Sequence, residues 1–253
     1  MCNFTLIEDD FSIKILYNNY KIIFTKRAAG NFSFQQMYFS SKITSEARYN
    51  FSKKYEISPF HIYNPILEHD NKYHIAEKPL DIEYYNPQSQ IGNADAILIL
   101  NKDLYGMITF ADCIPLALIN LKKAACASIH LGSRSIVKDA ISSFVKEWMT
   151  NFDLYPDSWI AIIGPSIFYQ DYEIKSDFIN FIEQKNIELL KFNYLIDQKY
   201  FFDNRAALIY QLNKIGINNI IKLDFNTYSD KRFSSYRKDK PNHITQALFV
   251  SFS

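Results

Sequence analysis

The sequence predicts a mixed α/β fold: one domain over residues 1–253, with a central mixed β-sheet flanked by helices. Three observations carry this. From Ala96 onward, short apolar runs alternate with turn residues, the pattern of adjacent buried strands. Between them, Ile136–Met149 places Ile136, Val137, Ala140, Ile141, Phe144, Val145 and Trp148 at helical spacing. And 253 residues, 48% of them hydrophobic, suffice for a large core without any evident linker.

The elements follow in chain order. Ser12–Tyr17 and Tyr20–Thr25 read as strands joined by the turn-forming Asn18-Asn19. A helix is expected from about Thr44 to Tyr55, with Ser41 or Thr44 as its N-cap and Pro59 beyond its end. Lys78–Asn93 is polar, carries Pro79 and Pro87, and reads as a loop. Ala96–Leu100, Met107–Phe110, Leu116–Asn120 and Ala124–Ile129 are expected strands, and Trp159–Ile163 another, ended by Gly164-Pro165. Helices are expected at about Ser176–Gln184 and Phe202–Lys214, the second stopped by Gly216, and Ile220–Leu223 and Ala247–Phe252 close the chain as strands.

Composition excludes several function classes. The net charge of +1, with acids and bases interspersed, offers no basic stripe for nucleic acid. Three cysteines, Cys2, Cys113 and Cys126, are too few and too odd for a disulfide framework and point to a reducing, cytoplasmic setting. Acidic residues at Glu8, Asp9 and Asp10 spoil the N-terminus as a signal peptide, and no apolar run approaches a membrane span. Six glycines form neither a dinucleotide fingerprint nor a P-loop, so any phosphate must be held by side chains or a helix N-terminus. Oligomeric state is not legible.

Chemistry concentrates at two places. Cys113 lies just past one expected strand and before Pro115, which begins the next; His130 ends the following apolar run. Ends of neighbouring strands converge, and a thiolate with imidazoles suits zinc or copper. A firm site needs a third ligand, for which His61, His69, His74 and His243 are the candidates. The bland alternatives are a buried small hydrophobe at Cys113 and a hydrogen-bonded histidine at His130.

At these residues the chain resembles a known family. Thr109–Pro115 is similar to the T-x-A-D-C-x-P segment of the laccase-domain, or multicopper polyphenol oxidase, family, and His130, Gly132 and Arg134 match its A-H-A-G-W-R-G. Phe24–Arg27 with Gly30 resembles F-T-T-R-x-G-G, Glu46-Ala47-Arg48 resembles E-N-R, and His69–Lys72 resembles Q-V-H-[GS]-x-x-V. Asp95-Ala96, Gly164–Ile167, Tyr172-Glu173-Ile174, Gln211-Leu212 with Gly216, and Ser235–Asp239 match further segments in order. The resemblance therefore runs over almost the whole chain.

What it implies is specific. The family's metal ligands carry over to His69, Cys113 and His130, with zinc expected and copper allowed by the same donors. Three protein ligands and an open fourth position form the catalytic pattern for zinc. The implied activity is phosphorolysis of purine nucleosides, adenosine or inosine and also methylthioadenosine, with adenosine deamination as a second reaction. The implied partners are a nucleoside and phosphate. Arg27, Arg48, Arg134 and Arg237 are the candidate phosphate or ribose contacts, because guanidinium matches oxyanions bidentately. Asp112 is a candidate to orient a ligand or carry a proton. His74, an odd offset from His69 on an extended chain, is left outside the site; Cys126 reads as core.

The departures fall in the substrate surround. Ser133 and Ser135 replace the family's Trp and second Gly, Leu67-Glu68 its Gln-Val, and Gln170-Asp171 its Cys-Cys. The C-terminal G-R is replaced near Ile244-Thr245, and an expected asparagine has no clear counterpart in Tyr38-Phe39-Ser40. Two other readings compete: a metal-binding member without catalysis, serving in cell-wall precursor editing like the family's peptidoglycan editing factor, and a copper oxidase. For the latter Met1, Met37, Met107 and Met149 include no evident axial ligand.

Overall fold

A computed structural model describes residues 4–35, 41–80 and 91–253. Its strands are β1 (Thr5–Glu8), β2 (Ser12–Tyr17), β3 (Tyr20–Thr25), β4 (Ile62–Tyr63), β5 (Tyr73–Ala76), β6 (Ala96–Ile99), β7 (Tyr105–Phe110) and β8 (Ile114–Asn120). They continue with β9 (Cys126–Leu131), β10 (Trp159–Ile163), β11 (Glu173–Ile174), β12 (Asn193–Ile196), β13 (Lys199–Phe202), β14 (Asn219–Lys222) and β15 (Gln246–Phe252). The helices are α1 (Ser41–Lys54), α2 (Ser133–Val137), α3 (Ala140–Phe152), α4 (Ser176–Lys185), α5 (Asn204–Lys214) and α6 (Tyr236–Asp239).

The mixed α/β class is as expected, but the strands form two six-stranded mixed sheets, ordered β1-β2-β3-β15-β7-β4 and β14-β10-β8-β9-β6-β5, and a small antiparallel one, β11-β13-β12, rather than a single central sheet. Inward residues of the first, among them Phe24, Ile108, Phe110 and Leu248, meet Ile97, Ile99, Ala117, Ile119, Ile160 and Ile162 of the second. The alternate residues of the second sheet, such as Leu98, Leu116, Leu118 and Ile129, pack under Phe144, Trp148, Leu208 and Leu212 of α3 and α5. On the far side, Ile23, Met107, Ala247 and Phe249 of the first sheet meet Phe51 of α1. The layers thus run helix, sheet, sheet, helices. A strand buried on both faces loses its polar alternation, which is why the run of apolar segments does not disclose how many sheets it fills.

Local differences have local causes. The expected helix Ile136–Met149 is two helices, α2 and α3, because Asp139 between them adopts a left-handed φ of 56°. α5 starts at Asn204 because the Asp203 side chain caps it, accepting from the Ala206 N–H at 2.8 Å. The strands β1, β4, β5, β11, β12 and β13 lack strong apolar patterning and add to the expected set. The expected loop Lys78–Asn93 falls largely outside the described residues, as do Tyr38-Phe39-Ser40, Cys2, Met1 and Met37. Among the described residues, no helix is long and apolar enough to cross a membrane.

One connection positions the site. β7 belongs to the first sheet and β8 to the second, so the three residues Ala111-Asp112-Cys113 carry the chain across the gap between the layers.

Candidate metal centre

Cys113 ends that corner. The turn is tight enough that Asp112 takes a φ of 84°, and its buried carboxylate locks it. Oδ1 accepts from the Thr227 hydroxyl at 2.7 Å; Oδ2 accepts from the Ser235 hydroxyl at 2.9 Å and the Arg237 N–H at 2.7 Å. These bonds serve the corner rather than the cavity beside it. Burial raises the Asp112 pKa, against the lowering effect of these donors.

His130 lies near the end of β9, in register with Pro115 on β8. Its Nδ1 is 2.8 Å from the Thr109 carbonyl, which can only accept, so Nδ1 carries the proton and Nε2 keeps its lone pair. Burial, and then the neighbouring His69, bring its pKa down to about 3, so the ring is neutral. His69 comes from the loop before β5, with a left-handed φ of 59°. Its Nε2 is 3.4 Å from His130 Nε2 and 4.0 Å from Cys113 Sγ. All three ligand atoms lie within 4.8 Å of one another.

The donor set fits a tetrahedral ion. Two nitrogens, each roughly 2.0–2.1 Å from one such ion, would be separated by about 3.3–3.4 Å. Gly132 makes the approach feasible: a Cβ there would sit 2.5 Å from His69 Cδ2 and 3.4 Å from Cys113 Sγ. Burial, followed by the nearby Asp112 and Asp95 carboxylates, pushes the Cys113 thiol up to about 12. The same carboxylates favour a cation in front of it.

The three side chains share one wall of a cavity of about 470 Å³. Leu67, Phe110 and Tyr236 give it apolar and aromatic surface, while Gln35, His243 and Thr245 add polar groups. The Tyr236 and His243 rings meet edge to face at 4.9 Å. Burial lowers the His243 pKa. Leu67 and Thr245 are among the departures in the substrate surround, and Tyr236 lies in the matched Ser235–Asp239 segment; Gln35 has no such signal in the sequence.

The four candidate arginines each lie against protein groups. Among the described residues lining the cavity there is none of them. Arg27 pairs with Asp239 and donates to the Ser234 hydroxyl at 3.3 Å. Arg48 donates from Nε to the Phe32 carbonyl at 2.9 Å and stacks 4.5 Å from the Phe34 ring centroid. Arg237 donates to the Glu173 carbonyl at 3.0 Å and lies over Tyr172. Arg134, exposed on α2, lies 5.0 Å over Phe181. Ser133, where the family motif has Trp, shares a 2.8 Å hydrogen bond with the Tyr172 hydroxyl.

Of the other ligand candidates, His61 bonds through Nδ1 to the Asp103 carbonyl at 3.2 Å, His74 lies on β5, and His243 stands on the cavity wall outside the triad. Cys126 is buried in the inter-sheet core.

Comparison with known proteins gives a consistent picture. A family model described as multi-copper polyphenol oxidoreductase laccase matches residues 36–252. A purine nucleoside phosphorylase of Campylobacter jejuni is 27% identical over 160 residues, covering 63% of this chain and 66% of that protein. One from Rickettsia prowazekii is 26% identical over 151 residues, covering 58% of this chain and 62% of that protein. The matched segment thus spans less than two thirds of either relative. The crystal structure of the hypothetical protein YfiH from Bacillus licheniformis superposes with a TM-score of 0.89 at 16% identity, covering 99% of each chain. YlmD from Geobacillus stearothermophilus does so with a TM-score of 0.87 at 15% identity, over 100% of this chain and 99% of that one. At such identity the likeness is one of fold.

Proposed function

We propose that this chain, which belongs to the multi-copper polyphenol oxidoreductase laccase family, is a zinc-dependent purine nucleoside phosphorylase acting on adenosine or inosine. The observation that carries the reading is the triad His69, Cys113 and His130 on the wall of an open cavity sized for a small ligand. The relatives named as purine nucleoside phosphorylases support the substrate class.

In this reading the chain's residues divide the work. Thr109 fixes the His130 tautomer so that Nε2 faces the cavity. Gly132 leaves the space that the His69 ring occupies. Phe110, Leu67 and Tyr236 offer a planar purine apolar and aromatic surface. Thr245, Gln35 and the neutral His243 supply hydrogen-bonding partners for base and ribose. When bound, zinc supplies Lewis acidity and brings water near its deprotonation point at neutral pH. In phosphorolysis a phosphate oxygen bonds to C1′ while the C1′–N9 bond breaks, and the purine leaves with the bonding pair and takes up a proton. Asp112 serves this site by holding the Cys113 corner.

A second reading, adenosine deamination, is favoured by one observation: no arginine stands among the described residues lining the cavity, and the second reactant of deamination is water rather than an anion. The deciding experiment is turnover of adenosine, inosine, guanosine and methylthioadenosine by the zinc-loaded protein, with and without phosphate. Phosphate-dependent release of free base supports phosphorolysis; ammonia release without phosphate supports deamination. Neither, above the Cys113→Ala background, removes both and leaves a non-catalytic metal-binding role.

A further inference from the structure

Asp95 stands immediately before β6 and is fully buried. Its polar groups reach both segments that carry the imidazole ligands. Its N–H donates to the Lys72 carbonyl at 3.0 Å, on the stretch leading from His69 into β5. Its carbonyl accepts from the N–H of His130 at 2.7 Å. Its carboxylate Oδ2 accepts from the Asp70 N–H at 2.6 Å.

The first two bonds are backbone bonds that any residue would supply. The third depends on the side chain. A carboxylate removed from water needs partners, and here the partner is the backbone immediately after His69. That is where the chain needs restraint, since His69 adopts the left-handed region, which β-carbon sterics disfavour outside glycine. Among the tethers of this loop, it is the one that grips the peptide next to His69, whose ring lies against Gly132 and 4.0 Å from the Cys113 sulfur. The same carboxylate is one of the two whose negative charge bears on the Cys113 sulfur, so it also favours a cation at the centre.

We infer that Asp95 is a positioning residue that holds His69 against His130 and thereby sets the metal affinity of the centre. The inference rests on the metal-centre reading above. It differs from a purely structural role, in which losing the carboxylate would lower stability and leave metal affinity alone.

The test uses the full chain as wild type, Asp95→Ala, Asp95→Asn and Asp95→Glu. Zinc dissociation constants are measured by competition with a chromogenic chelator, cobalt-substituted protein is followed by its thiolate charge-transfer band, and the metal-free unfolding midpoint is recorded. Asp95→Ala is expected to weaken zinc binding by about 10–100-fold and to reduce the cobalt band. Asp95→Asn, whose amide oxygen still accepts from the Asp70 N–H, should lose less than about 10-fold. Asp95→Glu keeps the charge but displaces the carboxylate by one methylene, and should weaken zinc as Asp95→Ala does; it carries the test if the alanine variant does not fold. Wild-type zinc affinity in Asp95→Ala or Asp95→Glu, whatever their midpoints, overturns the inference. Wild-type protein that binds zinc no better than Cys113→Ala overturns the metal centre itself, and this inference with it.

Discussion

The Nε2 atoms of His69 and His130 face each other at 3.4 Å across a separation of 61 residues. The rings meet edge to face, 5.0 Å between centroids. Two such ring nitrogens, with the Cys113 sulfur 4.0 Å from one of them, form a donor set that can take a cation.

Removing any one ligand should therefore empty the site. Cys113→Ala and His69→Ala are expected to lose tight zinc binding and retain the wild-type circular dichroism spectrum. Metal content after dialysis against a weak chelator is the measurement. One zinc per chain in either variant would contradict the assignment.

Gly132→Ala tests the geometry without touching a ligand. Its added methyl would lie 2.5 Å from His69 Cδ2, so the ring must move. Zinc affinity should fall at least about 10-fold, in the range of changes to groups that orient ligands. The metal-free midpoint should shift little, because the displaced ring is exposed. An unchanged dissociation constant would show that His69 has other ways to reach the site.

The reading of one domain over 1–253 makes a spectroscopic prediction. The only tryptophans, Trp148 and Trp159, belong to the core on the helix-covered side of the second sheet. Leu248 belongs to the first sheet and is fully buried between the layers. Leu248→Ala should cost about 2–5 kcal/mol, and tryptophan fluorescence should report the whole loss in a single transition. A fluorescence transition that stays put would mean that the layers unfold separately.

Acid stability has a defined contributor at the β1–β2 turn. Burial works to raise the Asp9 pKa, but it is outweighed: Asp9 accepts from the Phe11 and Ser12 N–H groups at 2.9 and 2.8 Å and from the Tyr55 hydroxyl at 2.9 Å, beside Lys54. The net result is a pKa lowered to about 2. A depressed carboxylate pKa contributes stability above the unfolded value near 3.9 and loses it as the pH falls toward the folded value. About 1–2 kcal/mol, allowing for partial exposure, should disappear between roughly pH 4 and pH 2. Urea midpoints of wild type and Asp9→Asn across that range are the check; equal slopes would remove Asp9 from the account.

Much of the fold is legible in the sequence where periodicity is strong, at β2, β3, the strands from Ala96 to Leu131, and α3. Less legible are β1, β12 and β13, whose residues are mostly exposed and so carry no pattern imposed by a core. For the centre, Cys113 and His130 can be read from their places at strand ends. The third ligand cannot: spacing leaves His61, His69, His74 and His243 open, and only the resemblance selects His69. His69 sits in a loop held by tertiary contacts; Gly132 and Asp95 fall in matched segments, but what they do is set through space, so their roles are not legible along the chain. The arginines are legible by type alone, which suggests anion binding; their local partners, a carboxylate or carbonyl for Arg27, Arg48 and Arg237 and a ring for Arg134, are not.

The corner Ala111-Asp112-Cys113 spans the gap between the sheets, while His130 approaches from β9 inside the second one and His69 from the loop before its edge strand β5. An ion bound there would tie the crossover to two other stretches of chain that are joined otherwise only by hydrogen bonds and packing. By mass action, any ion that prefers the folded chain lowers its free energy, by about 2.7 kcal/mol when free zinc stands a hundredfold above its dissociation constant. The abundance of this protein in a cell would then follow the local zinc supply, since metal-starved chains would spend more time open to proteases whatever reaction the cavity performs.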